Sequence, residues 1–154
     1  MTGFDPEAIF LALAGARVDY VTVGGFAVIA HGVVRATVDV DILPAPDPGN
    51  LARLAEALVR LRAHPAGEPG TAITPDLLGR DANMRFVTSA GQLDVLAASQ
   101  YRRLFEDLRA RALALEVDGT PIVVASRNDL IRLKAGTGRD RDLLDIGDLL
   151  ALEE

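Results

Sequence analysis

The chain has 154 residues, 49% hydrophobic and 25% charged, with 16 Lys+Arg against 22 Asp+Glu and a net charge of −6. It has no cysteine and only two histidines, which excludes disulfide frameworks, thiol catalysis, cysteine-held zinc or iron–sulfur groups and His-rich metal sites. The acidic balance opposes a general electrostatic grip on nucleic acid, so the chemistry must rest on carboxylates, arginines, hydroxyls and backbone.

The first predicted element is a helix, with Asp5 as cap, Pro6 at the first helical position and Ile9, Phe10 and Leu13 on one face up to Gly15. Tyr20 to Val23 reads as a buried strand stopped by Gly24-Gly25, and Phe26 to His31 as a short helix ended by Gly32. A second strand is expected over Thr37–Leu43, with Val38, Val40 and Ile42 on one face and Asp39 and Asp41 on the other. An amphipathic helix follows from about Gly49 to Arg62, its apolar face made of Leu51, Leu54, Leu58 and Leu61. The proline- and glycine-rich segment His64–Pro75 reads as a loop. Strands over Met84–Thr88 and Gln92–Leu96 join through Ser89-Ala90-Gly91. After a helix near Tyr101–Ala110, Ala112–Val117 and Pro121–Ala125 flank the turn Asp118-Gly119-Thr120. Ser126, with Asp129 three residues on, opens a helix to about Lys134, and a last helix spans roughly Asp140–Leu152. The order implies an α/β (α+β) fold, a mixed central sheet of about five strands flanked by helices, in one domain over residues 1–154. No run approaches the roughly 18 apolar residues of a membrane helix. The start, MTGFDPEAIF, lacks a signal peptide's basic region, so a cytoplasmic protein with no membrane attachment is expected.

The feature that carries chemistry is Val23-Gly24-Gly25, thirteen intervening residues, then Asp39-Val40-Asp41. Two carboxylates on one strand face lie roughly 7 Å apart at their Cα atoms, close enough to share divalent cations that relieve their repulsion. A side-chain-free turn into a helix lets phosphate oxygens approach backbone N–H groups. Asp94 interrupts an apolar strand, where an uncompensated charge is costly, and fits as a third acid. Metals beside a phosphate cradle suit phosphoryl or nucleotidyl transfer.

This pattern resembles the DNA polymerase β-type nucleotidyltransferases, whose signature pairs a hydrophobic-Gly-Gly/Ser turn with Asp-hydrophobic-Asp and a later strand Asp. The stretch VTVGGFAVIAHGVVRATVDVDIL is similar to small bacterial nucleotidyltransferase-like proteins related to abortive-infection toxins. So is the C-terminal run from Ser126 to Lys134 with Arg139 to Ile146. The resemblance implies Mg²⁺, or Mn²⁺ in its stead, held by Asp39, Asp41 and Asp94, with Asp94 also positioning or deprotonating the acceptor hydroxyl. It implies a nucleoside triphosphate such as ATP as substrate, held by Gly24 and Gly25. NMP would pass to a hydroxyl of tRNA, a protein or a small molecule, in a monomer or homodimer that could belong to a toxin–antitoxin pair with an antitoxin partner. The second motif position is Gly25, where many active members have serine. The alternative is therefore a catalytically inactive protein of this fold that binds a nucleotide or a protein partner.

Among supporting residues, Arg35 and Lys134 are expected at the nucleotide, against a loop arginine and a helix-face lysine as the structural readings. Thr37 reads as a strand residue and His31 as structural. Asp140, Asp142 and Asp145 read as acids at a helix N-terminus and not as metal ligands. Arg102, Arg103, Arg109 and Arg111 read as a solvated helix face.

Overall fold

In the computed structural model, residues 3–152 are described, and they build a seven-stranded sheet in the order β3-β4-β5-β2-β1-β7-β6. Helix α1 (Pro6–Gly15) starts where its cap predicts, the Asp5 carboxylate accepting from the Ala8 amide at 3.2 Å. It buries Ile9, Phe10 and Leu13. Strand β1 (Tyr20–Val23), buried at all four residues, leads straight into α2 (Gly24–Ala30).

Strand β2 runs Asp39–Pro44, two residues later than expected. Thr37 and Val38 precede the pairing, whose first partners are Asp39 and Gln92 of β5 (Gly91–Val95). Val38 is accordingly 72% exposed and does not extend the apolar face, which Val40 and Ile42 form alone. β2 pairs antiparallel with β1 and parallel with β5, and β4 (Met84–Thr88) pairs antiparallel with β5. Side chains alternate across the sheet. Phe86, Leu93, Val40, Ile42 and Val95 therefore turn to the buried face, while Arg85, Asp94, Gln92, Asp39 and Asp41 share the opposite one.

The sheet has seven strands where about five were expected, and of these only β3 falls outside the strand segments read from the sequence. Within the predicted loop, His64–Pro65 form a two-residue β3 against Phe86 and Val87, and Pro75–Leu78 form a short α4 capped by Thr74. At the other edge the hairpin β6 (Leu113–Val117) and β7 (Thr120–Val124) joins through parallel pairing of β7 with β1. Its turn is Asp118-Gly119 alone, both at positive φ, 51° and 82°. The single helix expected near Tyr101 is two, α5 (Ser99–Arg102) and α6 (Phe105–Arg111). Helices α7 (Arg127–Ala135) and α8 (Asp140–Ala151) follow, with the Asp129 amide donating to the Ser126 hydroxyl at 3.1 Å. Unlike a reciprocal capping box, the Asp129 carboxylate turns away to Arg111 and Arg132.

Helix α3 (Pro48–Arg60), capped by Asp47, contains the most consequential buried polar side chain outside the site. Asn50, fully buried, accepts from the Asp19 amide at 2.7 Å and donates to the carbonyls of Asp19 at 2.8 Å and Ala45 at 2.9 Å. It thereby ties the entrance of β1 to the exit of β2. Replacing it takes the partner from the Asp19 amide and the Ala45 carbonyl, both costly when desolvated, and leaves the Asp19 carbonyl with the Ala45 amide alone. Asn50→Ala is expected to lower stability by about 2–4 kcal/mol in urea unfolding, with an unchanged m-value.

Candidate active site

Three carboxylates converge at one end of the sheet. Asp39 and Asp41 come from β2, and the parallel register sets Asp94 of β5 directly opposite Asp41. One oxygen from each lies within 4.8 Å of the others. Asp39 accepts from the Gln92 amide at 3.0 Å, and Arg85 grips both Asp94 oxygens at 3.0 and 3.2 Å.

The cluster is electrostatically incomplete. Burial first, then the Asp39 and Asp94 charges, push the Asp41 carboxyl up to about 7, with Lys134 only partly offsetting them. Burial and the charge of Asp94 likewise raise Asp39, against Arg85 and Gln92. Three converging hard oxygen donors, two of them raised by burial and by their neighbours' negative charge, fit a divalent cation of the Mg²⁺ or Mn²⁺ type.

The two glycines beside them have different reasons to be glycine. Gly24 has φ +73°, and any Cβ there would strike the Asp41 carboxylate. At Gly25 the backbone would accept another residue, but a Cβ would meet Arg35 Nη1 at 2.5 Å. The double glycine is thus more than a sharp turn. It admits an acid on one side and a guanidinium on the other.

Arg35 and Lys134 both reach this cleft, which encloses about 220 Å³ together with Gly24, Gly25, Asp39 and Asp41. Neither is the free cation the structural readings supposed. Arg35 bonds Asp145 at 2.9 Å, and Lys134, only 7% exposed, lies 3.0 Å from Asp145 and 3.3 Å from Asp142. Asp142 also accepts from Thr137 at 2.6 Å and Arg139 at 2.7 Å. Burial alone would raise its pKa; those hydrogen bonds and Lys134 hold it below the usual carboxylate range. An adjoining cavity of about 110 Å³ is more apolar, with Val23, Leu96, Tyr101, Leu130 and Leu133 in its wall.

Asp140 and Asp142 stand in the first turn of α8 as read, and Asp142 and Asp145 are in addition buried counter-ions, 4% and 0% exposed, whereas Leu143, Leu144 and Leu150 stay 55–64% exposed. Their spacing with Leu149, at i, i+3 and i+7, was a legible sign of one inward helix face. Of the arginines expected as a solvated face, Arg103, Arg109 and Arg111 are exposed as read; Arg111 also pairs with Asp129 at 2.8 Å and Arg109 with Asp19 at 2.8 Å, and the half-buried Arg102 donates to the Ala97 carbonyl. His31 is structural as read, its Nε2 lying 2.8 Å from the Ala125 carbonyl. Arg85 was missed, because only the register makes it the partner of Asp94.

The arrangement matches a known family over nearly the whole chain, since the model of the family described as "Nucleotidyltransferase of unknown function (DUF6036)" covers residues 2–152. The chain belongs to this nucleotidyltransferase family. No curated protein matches it. Among solved structures, the lincomycin-bound lincosamide antibiotic adenylyltransferase LnuA superposes with a TM-score of 0.64 at 15% identity, covering 99% of this chain and 100% of that one. ANT(2")-Ia in complex with adenylyl-2"-tobramycin gives 0.62 at 13% identity, over 94% of this chain and 84% of that one. An antigenic nucleotidyltransferase-like protein from Paracoccidioides brasiliensis gives 0.61 at 18%, over 94% and 71%. These likenesses show the nucleotidyltransferase fold, and family membership makes the protein a transferase. Among the described residues no helix is long and apolar enough to cross a membrane.

The raised Asp41 carboxyl gives a pH prediction. The folded, ion-free protein keeps a proton there that the unfolded chain releases near pH 3.8, so stability should fall as pH rises from about 4 to about 7. Urea unfolding in EDTA across that range measures the slope, and Asp41→Asn should flatten it. Millimolar Mg²⁺ or Mn²⁺ at pH 8 should raise the melting temperature of the unaltered protein and not that of Asp41→Asn. An equal rise in both would exclude this cluster as the cation site.

Proposed function

We propose that the protein transfers an NMP from a nucleoside triphosphate to a hydroxyl group of a small-molecule acceptor, with release of pyrophosphate and dependence on a divalent cation. The observation that carries this is the convergence of Asp39, Asp41 and Asp94 beside the Gly24-Gly25 turn in a chain of this family. Asp39, Asp41 and Asp94 would hold the cation, which when bound activates the acceptor hydroxyl and neutralises the leaving pyrophosphate.

The remaining steps belong to the chain itself. Around the cleft, Arg35, Lys134, Arg139 and Arg141 match Asp39, Asp41, Asp142 and Asp145 in number, so a divalent cation held by the acids would leave a net positive charge suited to a triphosphate. Gly24 and Gly25 leave its oxygens room beside the backbone. On the other side of the acids, a cavity of about 180 Å³ lined by Asn83, Met84, Arg85, Asp94 and Leu96 leaves space for an acceptor. Asp94, held by Arg85, orients the acceptor hydroxyl and takes its proton as the oxygen bonds to the α-phosphorus. The bond from that phosphorus to the bridging oxygen of the β-phosphate breaks, and pyrophosphate leaves.

A small acceptor is favoured over a polynucleotide by the net charge of −6 and by the size of that cavity. The bound lincomycin and adenylyl-tobramycin of the structural neighbours support the same choice. Incubation with each α-labelled NTP, Mg²⁺ and fractionated cell extract tests it. Label is expected in the small-molecule fraction, reduced at least about a hundredfold by Asp39→Ala. Label in the RNA or protein fraction, with growth arrest on induced expression, would instead assign the acceptor expected of a toxin. Transfer unaffected by Asp39→Ala would overturn the proposed site.

A further inference from the structure

We propose that Arg35 is a direct phosphate ligand of the cleft, and that residue 25 is glycine because the Arg35 guanidinium fills the space its side chain would take. The inference rests on the nucleotidyl-transfer reading. A Cβ on Gly25 would lie 2.5 Å from Nη1, 2.9 Å from Cζ and 3.2 Å from Nη2 of Arg35, so the whole fork sits over that backbone. Gly25 has no positive φ that would by itself demand glycine.

The fork is held and not fully used. Nη1 donates to the fully buried Asp145 at 2.9 Å, which fixes its plane. Nε is buried with no hydrogen-bond partner, although the side chain borders the cleft that Asp39, Asp41 and Lys134 also line. A guanidinium has five donors matched to phosphate oxygens, and a buried one with donors to spare is completed by an anion. Asp145 does not cancel it, because Lys134 at 3.0 Å and Arg141 at 3.4 Å share the same carboxylate. Asp145 is therefore the positioning residue, and Arg35 the group that meets the ligand.

The test is a double-mutant cycle read by calorimetry, with inorganic tripolyphosphate and ATP as probes in excess Mg²⁺. Arg35→Ala should weaken tripolyphosphate binding roughly ten- to a hundredfold, the range for a hydrogen bond to a charged group. Gly25→Ala should cause a similar loss by displacing the fork, and the double variant should bind no worse than Arg35→Ala alone. Arg35→Lys, which keeps the charge beside Asp145 but not the fork, should fall between, and guards against a loss caused by misfolding. Losses that multiply in the double variant, or tripolyphosphate binding by Arg35→Ala within twofold of the unaltered protein, would overturn the proposal. So would weakened ATP binding with unchanged tripolyphosphate binding, which would assign Arg35 to the nucleoside. A protein that passes this cycle yet labels no acceptor would refute the reaction and keep the phosphate contact. One that binds no tripolyphosphate would refute the contact itself.

Discussion

Mutual repulsion among Asp39, Asp41 and Asp94 is the interaction around which the rest of the molecule is arranged. Two of the acids share a strand and the third faces them across a parallel pair, so the backbone leaves them no room to separate. Everything nearby answers that concentration of negative charge. Arg85 clamps the acid on the sheet's outer side, Gln92 donates to Asp39, and the cations of α7, α8 and the Arg35 loop border the cleft. Burial, and with it the part of the repulsion that the protein leaves uncompensated, raises the Asp41 carboxyl.

The cations need anchors of their own, and α8 supplies them by inverting the usual helix pattern. Asp142 and Asp145 face inward, where Lys134, Arg35, Arg139 and Thr137 satisfy them, while leucines on the same helix remain exposed. Arg35, Lys134 and Arg141 share Asp145, and Lys134, Arg139 and Thr137 share Asp142, so the buried charges are compensated by the network as a unit. The cleft therefore has two shells of opposite polarity: a carboxylate cluster that wants positive charge, and a cationic wall stiffened by acids behind it.

Much of this was legible in the chain because the signals were local. Asp5-Pro6, Ser126 and Asp118-Gly119 act within a few residues, and the structure puts a helix start, a second helix start and a hairpin turn at those positions. The acids of β2 announced themselves through strand alternation, and Asp94 through a charge inside an apolar strand. What escaped depended on partners distant in sequence. Arg85 gains its meaning only from its register with Asp94, β3 forms only because β4 lies beside it, and Asn50 serves backbone groups flanking β1 and β2. Asp142 stands in the first turn of α8 as local rules put it, but the burial of Asp142 and Asp145 depends on cations outside that helix, Lys134 and Arg35.

The alternation along β2 also protects the chemistry from misfolding. Val40 and Ile42 are fully buried on one face, with Asp39 and Asp41 on the other. A slip of one residue in pairing would drive both carboxylates into the apolar layer and expose the two aliphatic side chains. The misregistered sheet is therefore far less stable than the correct one. A chain that folds at all delivers its acids to the cleft, so the core acts as a checkpoint for the site.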